Sequence, residues 1–285
     1  MGQRLRLAAK MESNYTYMPK IVTGATSASS KILPMRAYCL RVAVFLQVSA
    51  MMLSLAALLT YVRHENVAGA YTAGLSAIIT FVAAYHYHAI LKVRTQPTIG
   101  KDGVVLSERD EELEVDGLRH SDWLVTLPLL VLKLYAVIGN PTQDLFFNNA
   151  ELSAFMAMLM VIFGAIARLA LDWGLPYSDM ADCQRISVFL CYIVSIALLS
   201  VLLIDLSHAT SGSAASSIVW SFYLVWIGYP IIAIGSFFAR SRVDSNSAWL
   251  SFWKDLAYVF LDTWSKAVFA WWTASRCFGI NFLGL

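Results

Sequence analysis

An acid and a lysine interrupt an otherwise apolar, aromatic segment, "LDTWSKAVFAWW", at residues 261–272. Asp262 and Lys266 are four residues apart, so on a helix they project from the same face and can interact. A structural ion pair is one interpretation, although apolar packing can replace such a pair at little cost. The other interpretation is chemical, because a desolvated lysine amine can condense with an aldehyde to form a Schiff base. The segment is therefore a candidate attachment site for a carbonyl compound.

A second set of polar residues follows one face of the predicted helix "RHSDWLVTLPLLVLK", residues 119–133. Taken singly, an arginine at a helix end usually extends to the interface, and a threonine usually bonds its own backbone. The rise from Asp122 to Lys133 is about 16 Å, roughly half of the hydrocarbon core of a membrane. The set as a whole predicts a proton or ion path. At about 100° per residue, a sector of about 80° contains Arg119, Asp122, Thr126, Leu130 and Lys133.

These residues belong to a chain with the composition of an integral membrane protein, 58% hydrophobic and 14% charged over 285 residues. Seven apolar runs have the roughly 17 to 25 residues that a tilted transmembrane helix needs. Helices are preferred because backbone groups in lipid must be paired within the segment, and short connections favour antiparallel neighbours. We predict an all-α membrane protein, a seven-helix up-and-down bundle. Its helix cores are Val42–Val62, Gly69–Leu91, Trp123–Ile138, Leu152–Leu171, Ile186–Leu206, Ile218–Phe238 and Leu250–Ala274.

The bundle is predicted to span residues 35–276, between a polar tail at 1–34 and a short tail at 277–285. The longest charged stretch, residues 98–117, is strongly acidic and is predicted as a loop. The alternation in its "GVVLS" portion predicts a short hairpin strand over one mouth of the bundle. A net charge of +2 does not indicate a nucleic-acid partner. The four cysteines have no CxxC spacing and indicate neither a disulfide framework nor a metal site.

The sixth run contains "WIGYPIIA", in which Trp226, Tyr229, Pro230 and Ala233 share a helical face. Aromatic residues at this spacing are commonly core packing, and a proline inside a membrane helix commonly makes a kink. By themselves these residues do not distinguish a cofactor pocket from a packed core.

Taken in order, these motifs resemble those of the microbial rhodopsins, from about residue 35 to residue 276. The resemblance is carried by "RxxDWxxTxPLL" in the third helix, "WxxYP" in the sixth and "LDTWSK" in the seventh. On the second helix, "AYHYHAI" is similar to the proteorhodopsin and xanthorhodopsin branch. The resemblance implies a seven-helix bundle that encloses all-trans retinal.

The same resemblance implies roles for individual residues. Lys266 would carry retinal as a protonated Schiff base, with Asp122 and Asp262 as its counterions. His86 would share a proton with Asp122; the alternative is a core histidine satisfied by a backbone carbonyl. Tyr87 would support Asp262. The residues implied to surround the retinal are Trp123, Leu130, Met160, Gly164, Trp226, Tyr229, Pro230 and Ala233.

The implied function is a light-driven outward proton pump, not an enzyme, in the cell membrane. The proton would pass from the Schiff base to Asp122, which Arg119 would stabilise in the dark. Lys133 lies where many pumps carry an acid and is predicted to relay protons from the cytoplasm. The amino terminus and the acidic stretch would be extracellular. The implied partners are retinal, protons, membrane lipid and further copies of the chain, and nucleic acid is not among them.

A light sensor, or a photoreceptor domain with a slow photocycle coupled to a partner, is the alternative, and a light-gated channel is a third possibility. Three departures from the pumping pattern favour the sensor. Lys133 replaces a donor carboxylate, and Lys254 replaces an acid that some pumps use near the release mouth. Ala233 stands where relatives usually place an aromatic residue against the retinal ring.

Overall fold

The chain forms seven successive helical elements in a computed structural model that describes residues 27–96, 108–138, 150–172, 182–210, 216–240 and 247–279. Within these ranges every regular segment is helical. The seventh element, α7, has three consecutive segments, of which the middle one is a π-helix. The elements are α1 (Ser27–Arg63), α2 (Val67–Thr95), α3 (Glu108–Ile138), α4 (Ala150–Asp172), α5 (Asp182–Thr210), α6 (Ser216–Arg240) and α7 (Ser247–Asp262, Thr263–Val268 and Phe269–Cys277).

The predicted all-α bundle of seven helices is confirmed, and each predicted apolar core lies within one element. The elements α1 to α5 each contain a stretch long and apolar enough to cross a membrane, and α6 contains a shorter one, Trp220–Gly235. The seventh element is interrupted by its π-helical segment and carries four acidic or basic residues before Phe269. These are Lys254, Asp255, Asp262 and Lys266.

Two boundaries differ from the sequence prediction. The first helix begins at Ser27, inside the stretch predicted as a tail, and α3 begins at Glu108, inside the acidic stretch. The loop prediction is therefore wrong for residues 108–117. Acidic composition suggested solvent exposure there, but Glu112 and Asp116 are buried against basic side chains of other helices. The predicted strand at residues 103–107 lies outside the described residues.

The helices pack in sequence order and close into a ring, because α7 contacts both α1 and α6. A tight turn joins α1 to α2. Glu65 adopts a left-handed backbone conformation there, with φ of 56°. The side chain of Asn66 caps α2 by accepting a hydrogen bond from the Gly69 amide at 2.9 Å. The largest core cluster joins α2 through α7 and includes Phe222, Trp226 and Phe269.

Local irregularities in α6 and α7 shape the centre of the bundle. Lys266 lies in the π-helical segment, whose wider turn accommodates one extra residue and is frequent at functional sites. Pro230 lies inside α6 and cannot donate to the carbonyl of Trp226, one turn earlier. A Cβ atom at Gly228 would lie 3.0 Å from Leu261 Cδ2. Glycine at this position therefore lets α6 approach α7 beside Asp262.

Candidate functional site

The amine of Lys266 lies between two carboxylates at the centre of the bundle. Its Nζ contacts Asp122 Oδ2 of α3 and lies 3.3 Å from Asp262 Oδ1. All three residues are buried, with at most 2% of each exposed. A buried amine that carries a charge in lipid needs such a partner, because an unpaired charge there costs several kcal/mol. The pair that the sequence placed on one helix is therefore part of a triad that also includes α3.

The two carboxylates differ sharply in their hydrogen bonding. Asp262 Oδ2 accepts a hydrogen bond from Tyr87 Oη at 2.6 Å. Its Oδ1 accepts from Tyr229 Oη at 2.6 Å and from Trp123 Nε1 at 3.1 Å. Asp122 Oδ1, in contrast, is buried and has no hydrogen-bond partner among the described residues. Asp262 is thus held as a fixed acceptor, whereas Asp122 keeps one oxygen available for a proton.

The predicted neighbours of Asp122 lie beside it without bonding its carboxylate. Thr126 Oγ1 donates to the backbone carbonyl of Asp122 at 2.9 Å. His86 is half-buried, and its Nδ1 donates to the carbonyl of Val82 at 2.9 Å, which matches the alternative given for this residue. The shared proton between His86 and Asp122 stays a prediction.

A cavity of about 130 Å³ adjoins Lys266. One water molecule needs only about 10–15 Å³ of such space, so the cavity is large enough for an organic ligand. At Gly164 a Cβ atom would lie 3.3 Å from Ser195 Oγ, so glycine keeps the cavity open between α4 and α5. The cavity brings together nearly all the predicted retinal contacts. Its lining includes Trp123, Leu130, Met160, Gly164, Trp226, Tyr229, Pro230, Ala233 and Lys266.

At its other end the cavity reaches a buried network of charges that centres on Arg119. The Arg119 guanidinium donates to Asp116 Oδ1 at 3.0 Å and contacts Asp255 Oδ1. Asp122, which the resemblance implies that Arg119 stabilises, is not among the bonding partners of Arg119 in the described part of the chain, and that role stays a prediction. Asp255 also lies 3.3 Å from Arg36 Nε and 3.1 Å from Arg94 Nε. One carboxylate of α7 therefore joins arginines from three other helices.

The same network contains Lys254, which the sequence placed near one mouth. Its Nζ lies 2.5 Å from Glu112 Oε2 and 3.0 Å from Asp116 Oδ1. The Asp116 Oδ2 atom also accepts from Arg168 Nε at 3.0 Å and Nη2 at 2.9 Å. We call this set, with its two hubs Asp116 and Asp255, the arginine network. Its members are Arg36, Arg94, Glu112, Asp116, Arg119, Arg168, Lys254 and Asp255.

Sequence reasoning missed the acidic members of this network, although a signal for them exists. Glu112, Asp116 and Arg119 are spaced four and three residues apart and therefore share a helical face. Asp255 precedes Asp262 by seven residues, which also places both on one face. The assignment of residues 98–117 to a loop hid the first signal.

Lys133 lies on the opposite side of Lys266 from the arginine network. It is 1% exposed, and its Nζ lies 3.8 Å from the centre of the Phe269 ring. In the described part of the chain no carboxylate lies within 4.0 Å of this amine. A cation on an aromatic face gains less than one in an ion pair. The amine is therefore held without a fixed counter-charge.

Comparison with known proteins identifies the family of this arrangement. The sequence profile described as Bacteriorhodopsin-like protein matches residues 39–275. The chain belongs to this bacteriorhodopsin-like family. The predicted likeness to microbial rhodopsins is thereby confirmed, and the chain is an integral membrane protein. No curated protein is significantly similar in sequence.

Solved structures of rhodopsins share the fold of this bacteriorhodopsin-like protein. Xanthorhodopsin, described as a light-driven ion pump with dual chromophore, is 20% identical, with a TM-score of 0.64 over 88% of this chain and 97% of its own. A thermophilic rhodopsin is 20% identical, with a TM-score of 0.62 over 87% and 94%. The proton pumping rhodopsin AR2 from the marine alga Acetabularia acetabulum is 16% identical, with a TM-score of 0.53 over 82% and 93%.

Members of this family generally bind retinal through a Schiff base. The residues of this chain fit that group. The Lys266 amine is buried at one side of a mainly apolar cavity, and two carboxylates are close enough to neutralise a positive charge on its nitrogen. Trp123, Trp226 and Tyr229 supply aromatic surface for a polyene.

Proposed function

We propose that this bacteriorhodopsin-like protein is a light-driven outward proton pump of the cell membrane. Retinal is attached to Lys266 as a protonated Schiff base, and Asp122 is the proton acceptor. The observation that carries the proposal is the unequal bonding of the two carboxylates beside Lys266. Three donors engage Asp262, while Asp122 retains a buried oxygen with no partner among the described residues.

This inequality gives the first proton transfer a direction. Protonation of Asp262 would weaken the hydrogen bonds that Tyr87, Tyr229 and Trp123 donate to a charged acceptor. Protonation of Asp122 breaks no such bond at Oδ1. Bound retinal would supply the absorption of light and a change in the direction of the N–H bond at Lys266. The proton on Nζ then moves to Asp122, while Asp262 stays ionised.

The arginine network is the proposed exit toward the extracellular side. The cavity that adjoins Lys266 is also lined by Asp116, Arg119, Arg168 and Lys254. Because Arg119 is held by Asp116 and Asp255, its positive charge stays between Asp122 and the exit. A fixed positive charge there opposes the return of a proton from outside.

Lys133 is the proposed relay for the returning proton on the cytoplasmic side. Its amine is buried on the ring of Phe269, with no carboxylate within ion-pair distance among the described residues. It can therefore bind and release a proton without breaking an ion pair. Descriptions of related structures as an ion pump and as a proton pumping rhodopsin support transport as the function.

Light-induced pH changes in an unbuffered suspension of cells that express the chain with retinal test the proposal. We expect acidification of the medium, abolished by a protonophore and by Asp122→Asn. Lys266→Ala is expected to lose the visible absorption band, whereas Lys92→Ala, which removes an exposed lysine of α2, keeps it. A visible band in the Lys266 variant would contradict the attachment site.

A light sensor is the second candidate, favoured by the absence of a carboxylate beside Lys133 in the described residues. Without a fast donor, the deprotonated nitrogen at Lys266 would persist, and a long-lived state suits signalling to a partner. A chain with a visible band, no pH change and a photocycle lasting seconds would support the sensor and contradict the pump.

A further inference from the structure

A buried acid in α5 that has no place in the proposed pump lies among hydroxyl groups of two other helices. Asp205 is 2% exposed. Its Oδ2 accepts a hydrogen bond from Ser153 Oγ of α4 at 3.0 Å and another from the hydroxyl of Tyr135 of α3. The two hydroxyl oxygens are themselves 3.1 Å apart. Three helices thus converge on one carboxyl oxygen, and we call this group the Asp205 cluster.

Asp205 differs from the acids of the arginine network because, among the described residues, no cation lies beside its carboxyl group. Asp205 Oδ1 is buried without a hydrogen-bond partner among the described residues. Nor does any basic side chain lie within 4.0 Å of the carboxyl group in the part of the chain that the structure describes. An ionised acid without a cation is costly in lipid, whereas a carboxyl group that carries its proton is not. The geometry therefore suits a carboxyl group that stores a proton.

The Asp205 cluster lies in the same half of the bundle as Lys133. Tyr135 follows Lys133 by two residues on α3, close to the end of that helix at Ile138. Residues two apart point to nearly opposite faces of a helix, so the two groups flank α3 on different sides. Tyr135 is also a member of the main apolar core, which includes Leu134 and Phe222.

We propose that Asp205 donates the proton that restores the nitrogen at Lys266 after it has been deprotonated. The inference rests on the proposed function, which requires a proton to return from the cytoplasmic side. The O–H bond of Asp205 breaks, and an N–H bond forms on Nζ of Lys266 by way of water that enters this half of the bundle. Asp205 is left as a carboxylate that accepts from Tyr135 and Ser153, and a cytoplasmic proton then restores it.

The two hydroxyl groups help Asp205 to release its proton, because they stabilise the carboxylate that remains. Hydrogen bonds to an ionised acceptor are stronger than those to a neutral one, so Tyr135 and Ser153 stabilise the carboxylate as soon as the proton has left. Lys133 and Asp205 then have different roles in returning the proton to Lys266. The amine accepts a passing proton, and the acid supplies a stored one.

Flash photolysis of the purified, retinal-bound protein tests the role of Asp205 through the decay of the deprotonated state. We expect Asp205→Asn to slow this decay by roughly 10- to 100-fold. Added azide, a small weak acid that carries protons through water, should restore the rate. Asp205→Glu should decay within a few-fold of the unmodified protein. Glu65→Gln, which removes an exposed carboxylate of the turn between α1 and α2, should change nothing.

Infrared difference spectra follow the protonated-carboxyl band of Asp205 directly, and a purely structural role of Asp205 would produce no change in that band. The unmodified protein should lose a protonated-carboxyl band during the photocycle, and Asp205→Asn should lack that change. An unchanged decay with an unchanged infrared band would overturn the proposal, as would a slow decay that azide does not restore. Should Asp205→Asn fail to fold, Ser153→Ala provides a milder test, and unchanged kinetics in that variant would count against the cluster.

The results of these experiments can distinguish the donor role of Asp205 from the proposed function as a pump. Slow, azide-sensitive decay in Asp205→Asn, in a chain that does not acidify the medium, would support the donor and contradict the pump. Acidification combined with unmodified decay in Asp205→Asn would support the pump and contradict the donor. A chain that forms no visible chromophore with retinal would overturn both.

Discussion

The two halves of the bundle on either side of Lys266 differ in how their buried ionisable groups are paired. In the half that contains Arg119, two carboxylate hubs join cations from several helices, and the members contact one another directly. In the other half, Lys133 lies on an aromatic ring, and among the described residues Asp205 accepts only from hydroxyl groups. The first half contains ion pairs, and the second contains isolated ionisable groups.

This difference indicates how the bundle can transport protons in one direction. A charge in a dense network is held in place, because each change of protonation breaks bonds to several partners. An isolated group can change its charge at lower cost once water reaches it. The arginine network is therefore suited to a permanent electrostatic barrier and exit, whereas the half around Lys133 is suited to intermittent entry of protons.

The largest expected effect comes from breaking a hub of the arginine network. Asp116→Asn removes a counter-charge from Arg119, Arg168 and Lys254, all buried. We expect a loss of about 3–5 kcal/mol of stability, the usual cost of removing one partner from buried ion pairs. The measurement is the loss of visible absorbance on heating in detergent.

Glu114→Gln is the matched control for this variant, since it lies on the same helix two residues away and is exposed. It should melt like the unmodified protein. If Asp116→Asn were equally stable, the network would not be a source of stability, and the contrast between the halves would lose its energetic basis.

Lys133→Met, unlike Asp116→Asn, is not expected to lower the stability of the protein. It is expected to slow the photocycle strongly. Removal of a buried amine without a carboxylate partner should leave stability unchanged or raise it by up to about 2 kcal/mol. The decay of the deprotonated state should slow by up to about 100-fold, equivalent to about 2.7 kcal/mol in the barrier. Flash photolysis measures this rate, and Lys92→Met serves as an exposed control. An unchanged decay would remove Lys133 from the proton path.

Tyr87→Phe tests the hydrogen bonding of Asp262, which lies beside Lys266 where the two halves of the bundle meet. The change removes the 2.6 Å hydrogen bond to Asp262 Oδ2 but keeps the aromatic ring. We expect a loss of about 1.5–2 kcal/mol, because hydrogen bonds to charged groups contribute about 1.5–3 kcal/mol. Thermal melting of the chromophore checks this, with Tyr85→Phe, an exposed neighbour on the same helix, as the control. Equal melting of the two variants would mean that Tyr229 and Trp123 suffice to hold Asp262.

Glu111→Gln, which removes a partly exposed partner of Arg94 outside the arginine network, should have the smallest effect and tests whether burial sets the energy of an ion pair. Glu111 Oε1 lies 2.8 Å from Arg94 Nη1, but 30% of the Glu111 side chain is exposed. Water screens such a pair, so we expect a change below about 1 kcal/mol. Glu112→Gln, which alters the buried neighbour, should cost clearly more in the same melting experiment. Equal costs would show that burial does not set the energy.

Residue spacing predicted part of the central site, and the resemblance to microbial rhodopsins implied the rest. Asp262 and Lys266 lie within one helical turn, and Asp122 precedes Thr126 on the same face of α3, so local geometry and the motifs placed them correctly. The partner of Arg119 could not be predicted in this way. Its two nearest carboxylates lie three residues earlier in a stretch assigned to a loop, and on another helix at Asp255.

The sequence by itself determined the seven helices and their inward faces, because lipid requires each apolar segment to satisfy its own backbone and the helical repeat then sets the faces. The residues expected around Lys266 came from the resemblance to microbial rhodopsins. Only the tertiary structure decided which polar groups meet in the arginine network and in the Asp205 cluster. Arg119 bonds Asp255 from 136 positions away, and Asp205 accepts from Ser153, 52 positions away. Such pairs depend on how whole helices pack, and spacing along a single helix carries no information about that.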